Sequence, residues 1–451
     1  MQRRSFIKLS FAVSASLVVP TLSSASDVDY SQVTFDKTIY DANAPQVIMI
    51  YLYGGASQLA GNLTNFDEIK EKSQSSYDSY FRGITKTTNS FWQEAGGSYM
   101  EDLLADGDMT LFRTCYSKVR EMNSNKSHGS CTNQNQKGSF DESRAGIVTN
   151  LTNILSNAGV VSEESPMPFV TMEGDSQFYA PGSTTVASYL KAVGLNENLD
   201  NPYKRSVRYW YEYTSQERQT DGYNDAQTGF DPAFNTAMNE MAQQLNTNRK
   251  IKSAFAKRGP LSDFVQSIAS ATTPDLGEDA YPLNSSFAKR VESSIKVLAN
   301  NPATQLITMN TGGLGSWDDH NDAREYVKRS EDMFKTLKSA MAHIKALGKE
   351  KSISIMVFGE FGRNVNLNSA MGWDHGNLQN FYVLGGKNYF NHRGVVGETV
   401  VDDSGSVNRL YMKPKEGSEA YEHLSIAATL YKLFGITNPE ILTDGYSAVE
   451  L

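Results

Sequence analysis

Thiols are nearly absent from this chain: Cys115 and Cys131 are the only 2 cysteines among 451 residues. Two cysteines that far apart are too few ligands for a thiolate metal site. Without a Cys-x-x-Cys pair or a flavin or nicotinamide fingerprint, a redox role has no support. In an oxidising compartment the expectation is one disulfide between them, with two buried thiols as the alternative. Positive charge is also short. The formal net charge is -9 and the sequence pI is near 5.3, and Lys and Arg are scattered rather than striped, which argues against a nucleic-acid partner. Apolar runs are modest. The stretch from Leu9 to Leu22 offers about 14 mildly apolar residues against a ~30 Å hydrocarbon core, so no stable membrane anchor is expected. Histidine is scarce as well, with 6 in the whole chain, and its placement is therefore informative.

What the amino end does contain is an address. "MQRRSFIKLSFAVSASLVVPTLSSAS" pairs Arg3 with Arg4, adds Phe6 and Lys8, and runs into the apolar stretch and then small residues. It resembles a twin-arginine export signal, with cleavage expected after Ala25. The mature protein is then expected to be soluble and periplasmic or secreted, with the twin-arginine translocase as a transient partner. That route carries proteins already folded, often around a cofactor, which raises the prospect of a bound metal.

A chain of this length accommodates two or three domains, or one large α/β domain with an insertion. Short apolar, β-branched and aromatic runs recur at 46–55, 108–115, 166–173, 303–313, 352–360 and 380–386, each predicting a buried strand. Between them lie helical patterns. Residues 322–347 place Tyr326, Met333, Phe334, Leu337, Met341 and Ile344 on one stripe, with Asp322 and Glu325 suited to a capping box. Strands alternating with helices predict a mostly parallel sheet flanked by helices. Residues at about 196–290 are polar and rich in Asn, Gln, Tyr and Arg, and are expected to form a helical insertion or cap. The domain reading is thus a signal peptide over 1–25 and one α/β domain over 26–451.

In open α/β sheets, ligands bind beyond the carboxyl ends of the strands. Several predicted strands end in residues suited to chemistry. "YGGASQLAGN" offers Gly54, Gly55 and then Ser57; "GGLGSWDDHND" offers Asp318, Asp319, His320 and Asp322; "GEFGRN" offers Glu360 and Arg363; "MGWDHGN" adds Asp374 and His375; and "SNKSHGSCTNQ" adds His128. In a parallel sheet all five segments converge on one edge, and that convergence gives each motif its weight. Each has a plainer reading. An Asp-His pair in a loop is commonly a turn residue beside a solvated imidazole. Arg363 could simply hold Glu360, and Ser57 has no base beside it in the sequence. His343, His392 and His423 are expected to be structural or supporting residues.

Together, "YLYGGASQLAGN", "KSHGS", "GGLGSWDDHND", "VFGEFGRN", "GWDHGN", "FYVLGGK" and "LSIAATLYKLFGI" resemble the domain-of-unknown-function family 1501, which is placed with the alkaline phosphatase–sulfatase superfamily. The resemblance implies an alkaline-phosphatase-like fold and one or two divalent ions, commonly zinc, manganese or calcium. It implies metal ligation by Asp318, His320, Glu360, Asp374 and His375. His128 would bind the transferred group or protonate the leaving oxygen, Arg363 would contact a substrate anion through its fork, and Ser57 would be the candidate nucleophile. Two departures bear on this. Tyr53-Gly54-Gly55 stands where the superfamily puts a metal-binding Asp, and Glu360-Phe361 stands where it puts an Asp-His pair. One ion, or none, therefore suits these residues better than two. The leading expectation is an exported metal-dependent hydrolase of phosphate or sulfate esters, acting on a small-molecule or glycan ester. The alternative is a non-catalytic periplasmic or cell-surface binding or assembly factor that kept the fold.

Overall fold

The strand Gln46–Leu52 (β1) is buried along its whole length. Successive side chains of a strand point to opposite faces, and here both faces are apolar. Ile48, Ile50 and Leu52 join one hydrophobic layer, while Val47, Met49 and Tyr51 join the other. A strand covered on both sides needs no alternation of apolar with polar residues, which is why it reads as a continuous apolar run.

The structure, a computed structural model, describes residues 28–450 except 74–76, 184–185, 188–189, 198, 200–239, 241–263, 265–266 and 403–408. The expected signal peptide, and most of the expected insertion at about 196–290, lie outside the described residues. The remaining strands of the main sheet are Met109–Tyr116 (β2), Phe169–Thr171 (β3), Val193–Gly194 (β4), Leu306–Asn310 (β5), Ile353–Gly359 (β6), Leu378–Gly385 (β7) and Gly394–Val396 (β8). They form an 8-stranded sheet in the order β4-β3-β5-β1-β6-β7-β2-β8. Pairing is parallel for β1 with β5 and β6, for β3 with β4 and β5, and for β2 with β8. β7 runs antiparallel to both its neighbours, β6 and β2. The expected mostly parallel α/β sheet is therefore present, with all six predicted strands.

Helices cover both faces. Gly97–Ala105, Ser286–Asn300 and Arg324–Ala346 pack on one layer through Met100, Leu103, Phe287, Val291, Met333 and Phe334. Ile147–Asn157 and Ser425–Leu433 pack on the other through Ile147, Leu151, Ile426 and Leu430. The predicted stripe of the long helix is buried at all six positions, and each large apolar side chain so placed contributes about 1.5–3 kcal/mol.

Two local expectations are corrected. The capping box at Asp322 and Glu325 does not form: Ala323 is the N-cap and makes no side-chain bond. Asp322 sits at φ 50, and its carboxylate is taken by the Tyr80 hydroxyl at 2.6 Å and Arg324 Nε at 2.7 Å. The disulfide does not form either, since both cysteines are free and buried. Cys115 packs in the apolar layer that holds Phe112 and Phe381. Cys131 lies in the helix His128–Lys137, with its Sγ 3.8 Å from the carbonyl of Asn125. Burial pushes both thiols up, which makes them poor nucleophiles.

Candidate metal centre

The direction of β7 assembles the site. Because β7 is antiparallel to β6, it starts at the edge where β6 ends, so residues 360–377 leave and re-enter the sheet on one side. β1 and β5 end at that edge, being parallel to β6. β2, antiparallel to β7, ends there too and leads towards the helix His128–Lys137. The return loop folds on itself: an isolated antiparallel bridge joins Arg363 to His375, and Gly376 N–H donates to the Gly362 carbonyl at 2.7 Å.

Close approach makes particular glycines necessary. Gly54 has φ +107, and a Cβ there would lie 2.5 Å from the Asp318 nitrogen. A Cβ on Gly372 would lie 2.2 Å from the His320 carbonyl carbon. The Gly-Gly turn after β1 and the Gly before Trp373 thus let three segments of backbone touch around the acidic and imidazole side chains.

Ligand atoms of His128, Asp318, His320 and His375 all lie within 4.8 Å of one another. His320 Nε2 is 2.7 Å from His375 Nε2, and Asp318 reaches His320 Nε2 at 3.4 Å and His128 Nε2 at 3.7 Å. The outer nitrogens have partners that orient the rings. His375 Nδ1 lies 2.5 Å from the Lys126 carbonyl. A carbonyl only accepts, so Nδ1 carries the proton and Nε2 turns its lone pair inward. His128 Nδ1 donates to Glu360 Oε2 at 2.6 Å, again leaving Nε2 bare towards the cluster. His320 Nδ1 stands 3.5 Å from Asp374 Oδ1. Burial first, and then the charge of Arg363, hold the His375 imidazole down to about 4, so it is neutral near pH 7. Burial opposes ionisation of Asp318, but the hydrogen bond and charge of Arg363 outweigh it and keep the carboxyl below its usual value. A neutral imidazole with its far nitrogen anchored, beside an ionised carboxylate, is the donor chemistry a divalent ion takes.

The sequence candidates divide. Asp318, His320 and His375 meet in the cluster, and His128, expected as an acid or group binder, offers a donor atom beside them. Glu360 and Asp374, expected as ligands, stand one step back against the outer nitrogens of His128 and His320. Both Glu360 oxygens are taken, Oε2 by His128 and Oε1 by Gly54 N–H at 2.8 Å. Arg363 is fully buried and spends its fork within the chain. It donates to the carbonyls of Gly55 at 2.7 Å, Trp373 at 2.9 Å and Gly54, and to Asp318 Oδ1 at 2.6 Å. Ser57 is buried, and its Oγ accepts Leu59 N–H at 3.3 Å as the cap of a short turn. Asp319 turns away into a buried pair with Arg329 at 3.0 Å.

Sequence reasoning passed over Lys126, whose contribution is a backbone carbonyl, and Phe361, whose ring centre is 4.5 Å from that of His375. It also passed over Arg120. Lys126 stands two residues before His128, a proximity that could have flagged it; nothing in the sequence distinguishes Arg120. Of the other histidines, His343 bonds the Tyr281 hydroxyl at 3.1 Å, His392 the Gly385 carbonyl at 2.8 Å, and His423 is fully buried.

The family described as protein of unknown function, DUF1501, matches residues 44–400. No curated protein matches the chain in sequence. Among solved structures it is similar to the PsFucS1 sulfatase from Pseudoalteromonas sp., at 12% identity and TM-score 0.37 over 92% of this chain and 77% of that one. It is similar to the alkaline phosphatase from the Antarctic bacterium TAB5, at 12% identity and TM-score 0.34 over 87% and 98%. It is also similar to the C-terminal periplasmic domain of EcEptC from Escherichia coli in complex with Zn, at 10% identity and TM-score 0.35 over 90% and 88%. Likenesses this distant carry no argument about activity. Among the described residues no helix is long and apolar enough to cross a membrane.

Proposed function

The chain belongs to this family of unknown function, and from its imidazole cluster we propose that it is an exported metal-dependent hydrolase of phosphate or sulfate esters. The observation that carries the reading is the cluster itself: three imidazoles and one carboxylate with ligand atoms within 4.8 Å. Two outer nitrogens are anchored at 2.5 and 2.6 Å, by the Lys126 carbonyl and by Glu360. His128, Asp318, His320 and His375 are the proposed ligands of one ion. Three nitrogens and a single carboxylate suit zinc or manganese; calcium, which takes six to eight oxygens, fits poorly. A divalent ion held there would polarise an ester oxygen and acidify water.

The chain's own residues supply the rest. Arg363 holds Asp318 ionised and aimed at the cluster, while Glu360 and the Lys126 carbonyl fix the tautomers of His128 and His375. Lys126 Nζ stands 4.3 Å over the Tyr411 ring, and Arg409 Nε is 3.9 Å from Asp374 Oδ2. Two cations beside the cluster favour an anionic small-molecule or glycan ester. Ser57, turned into its own loop, is not our nucleophile; water is. The twin-arginine-like leader supports export to the periplasm or beyond. Elemental analysis of the mature protein after native export tests the proposal. About one equivalent of zinc or manganese is expected, lost in His375→Ala, and a site without metal in protein purified without chelator would refute it.

One observation favours a second reading, a non-catalytic binding or assembly factor: neither Ser57 nor a first-strand carboxylate stands in the cluster. No turnover on a broad panel of phosphate and sulfate esters by metal-replete protein would support it. Hydrolysis abolished by Asp318→Ala would exclude it.

A further inference from the structure

We propose that Arg120 is the positioning residue of the imidazole cluster, a buried guanidinium that ties the segments bearing His128, Glu360 and His375 into one rigid unit. The inference rests on the reading of that cluster as a metal centre.

Arg120 is 2% exposed, and every donor of its fork is engaged. Nε donates to Gln134 Oε1 at 3.0 Å, and Nη2 to Asn135 Oδ1 at 2.7 Å and the Cys131 carbonyl at 3.4 Å. All three acceptors lie on the helix that begins with His128. Nη1 donates to the Glu360 carbonyl at 3.1 Å and to His423 Nδ1 at 2.7 Å. Asn135 closes the loop, its Nδ2 donating to the Gly359 and Glu360 carbonyls at 2.7 and 2.9 Å. The peptide of Glu360 is thus pinned from two side chains while its carboxylate grips His128 and Gly54.

The second arm runs through His423. Its Nδ1 accepts from Arg120, so Nε2 carries the proton and donates to the carbonyls of Asn377 at 2.9 Å and Cys115 at 3.2 Å. Asn377 is the second residue after His375. One guanidinium therefore references both the His128–Glu360 pair and the strand start that follows His375. None of its hydrogen-bond acceptors is a carboxylate. A buried cation whose hydrogen bonds all go to neutral groups, with the buried Glu422 carboxylate as a charge neighbour only, is costly to maintain, and a lysine could not replace a planar fork bonding in several directions. A stability role alone would be met by apolar residues of similar volume.

The test uses the full mature chain. In metal-free protein, long-range 1H–15N spectra of labelled histidines read the His128 tautomer, and competition with a chromophoric chelator reads zinc affinity. Wild type is expected to show His128 in the Nδ1–H form. Arg120→Met is expected to lose that single form and weaken zinc binding about 10–100-fold. In a Glu360→Gln background, adding Arg120→Met should cost less than it does in the wild type, because one of its two arms acts by positioning that carboxylate, while the arm through His423 remains. An unchanged tautomer with affinity within about threefold of wild type, or fully additive losses, would overturn the inference. Should Arg120→Met fail to fold, Arg120→Lys, which keeps the charge and loses the fork, carries the same two readouts. If wild type binds no zinc, the proposed function falls, while the tautomer in metal-free protein still decides the role of Arg120.

Discussion

Replacing Arg363 separates two roles for the same residue. An arginine in a Gly-rich loop beside acidic clusters looks like a clamp for a substrate anion, and loss of such a clamp would lower activity and leave stability alone. In the structure its side chain is fully buried and serves the carbonyls of Gly54, Gly55 and Trp373 and the Asp318 carboxylate. Arg363→Met keeps most of the volume and removes every donor. Four carbonyls, that of Trp317 at 3.4 Å included, lose a partner at about 1 kcal/mol each, and the bond to the half-exposed Asp318 carboxylate adds little because solvent screens it; together the loss is about 3–5 kcal/mol. At ~2.1 cal/mol/K per residue, the unfolding entropy of a chain of this size is roughly 0.9 kcal/mol/K, so Tm should fall by about 3–6 °C. Differential scanning calorimetry of the metal-free protein reads this directly, and zinc affinity should fall with it as Asp318 swings free. An unchanged Tm together with weakened binding of inorganic phosphate or sulfate would refute this account and restore the clamp.

Other consequences are open to measurement. Gly54→Ala puts a Cβ against the Asp318 backbone at a φ of +107, so it should lower both Tm and metal content, whereas Gly107→Ala, with nothing within 4 Å of its added Cβ, should change Tm by less and leave metal content alone. His343 and His375 are both held down to about 4 by burial. An unfolded imidazole titrates near 6.5, so between about 6.5 and 4 the unfolded chain takes up protons that the native chain refuses. Stability of the metal-free protein should be lost as the pH falls through that window, and urea midpoints of His343→Gln should show a shallower slope there. Both thiols are free and buried, so a thiol reagent should find none in the native protein and two after unfolding, with no change in Tm on adding reductant.

The strands and the helix stripe were legible because both signals are local. An apolar run bounded by Gly announces a doubly covered strand, and Met333, Phe334, Leu337 and Met341 recur at helical spacing. The candidate site was legible as a set of segments and much less so as a set of roles. Whether a carboxylate touches an ion or the far side of an imidazole is a matter of a few ångströms. Glu360 and Asp374 fell on one side of that line, and Asp318 on the other. The Cys115–Cys131 pairing failed for a similar reason: spacing along the chain says nothing about which layer each thiol packs into.

By itself the sequence determined the alternation of strands and helices, the acidic charge, and which side chains are chemically able to hold a metal. Those depend on residue type and short-range period. The tertiary structure decided that β7 runs back from the edge where β6 ends, and so brings His375 to His320 and His128. It also decided that buried Arg120 and Arg363 serve the cluster from behind. Those outcomes depend on strand direction and on contacts between residues 45 to 303 positions apart, and no local pattern encodes either.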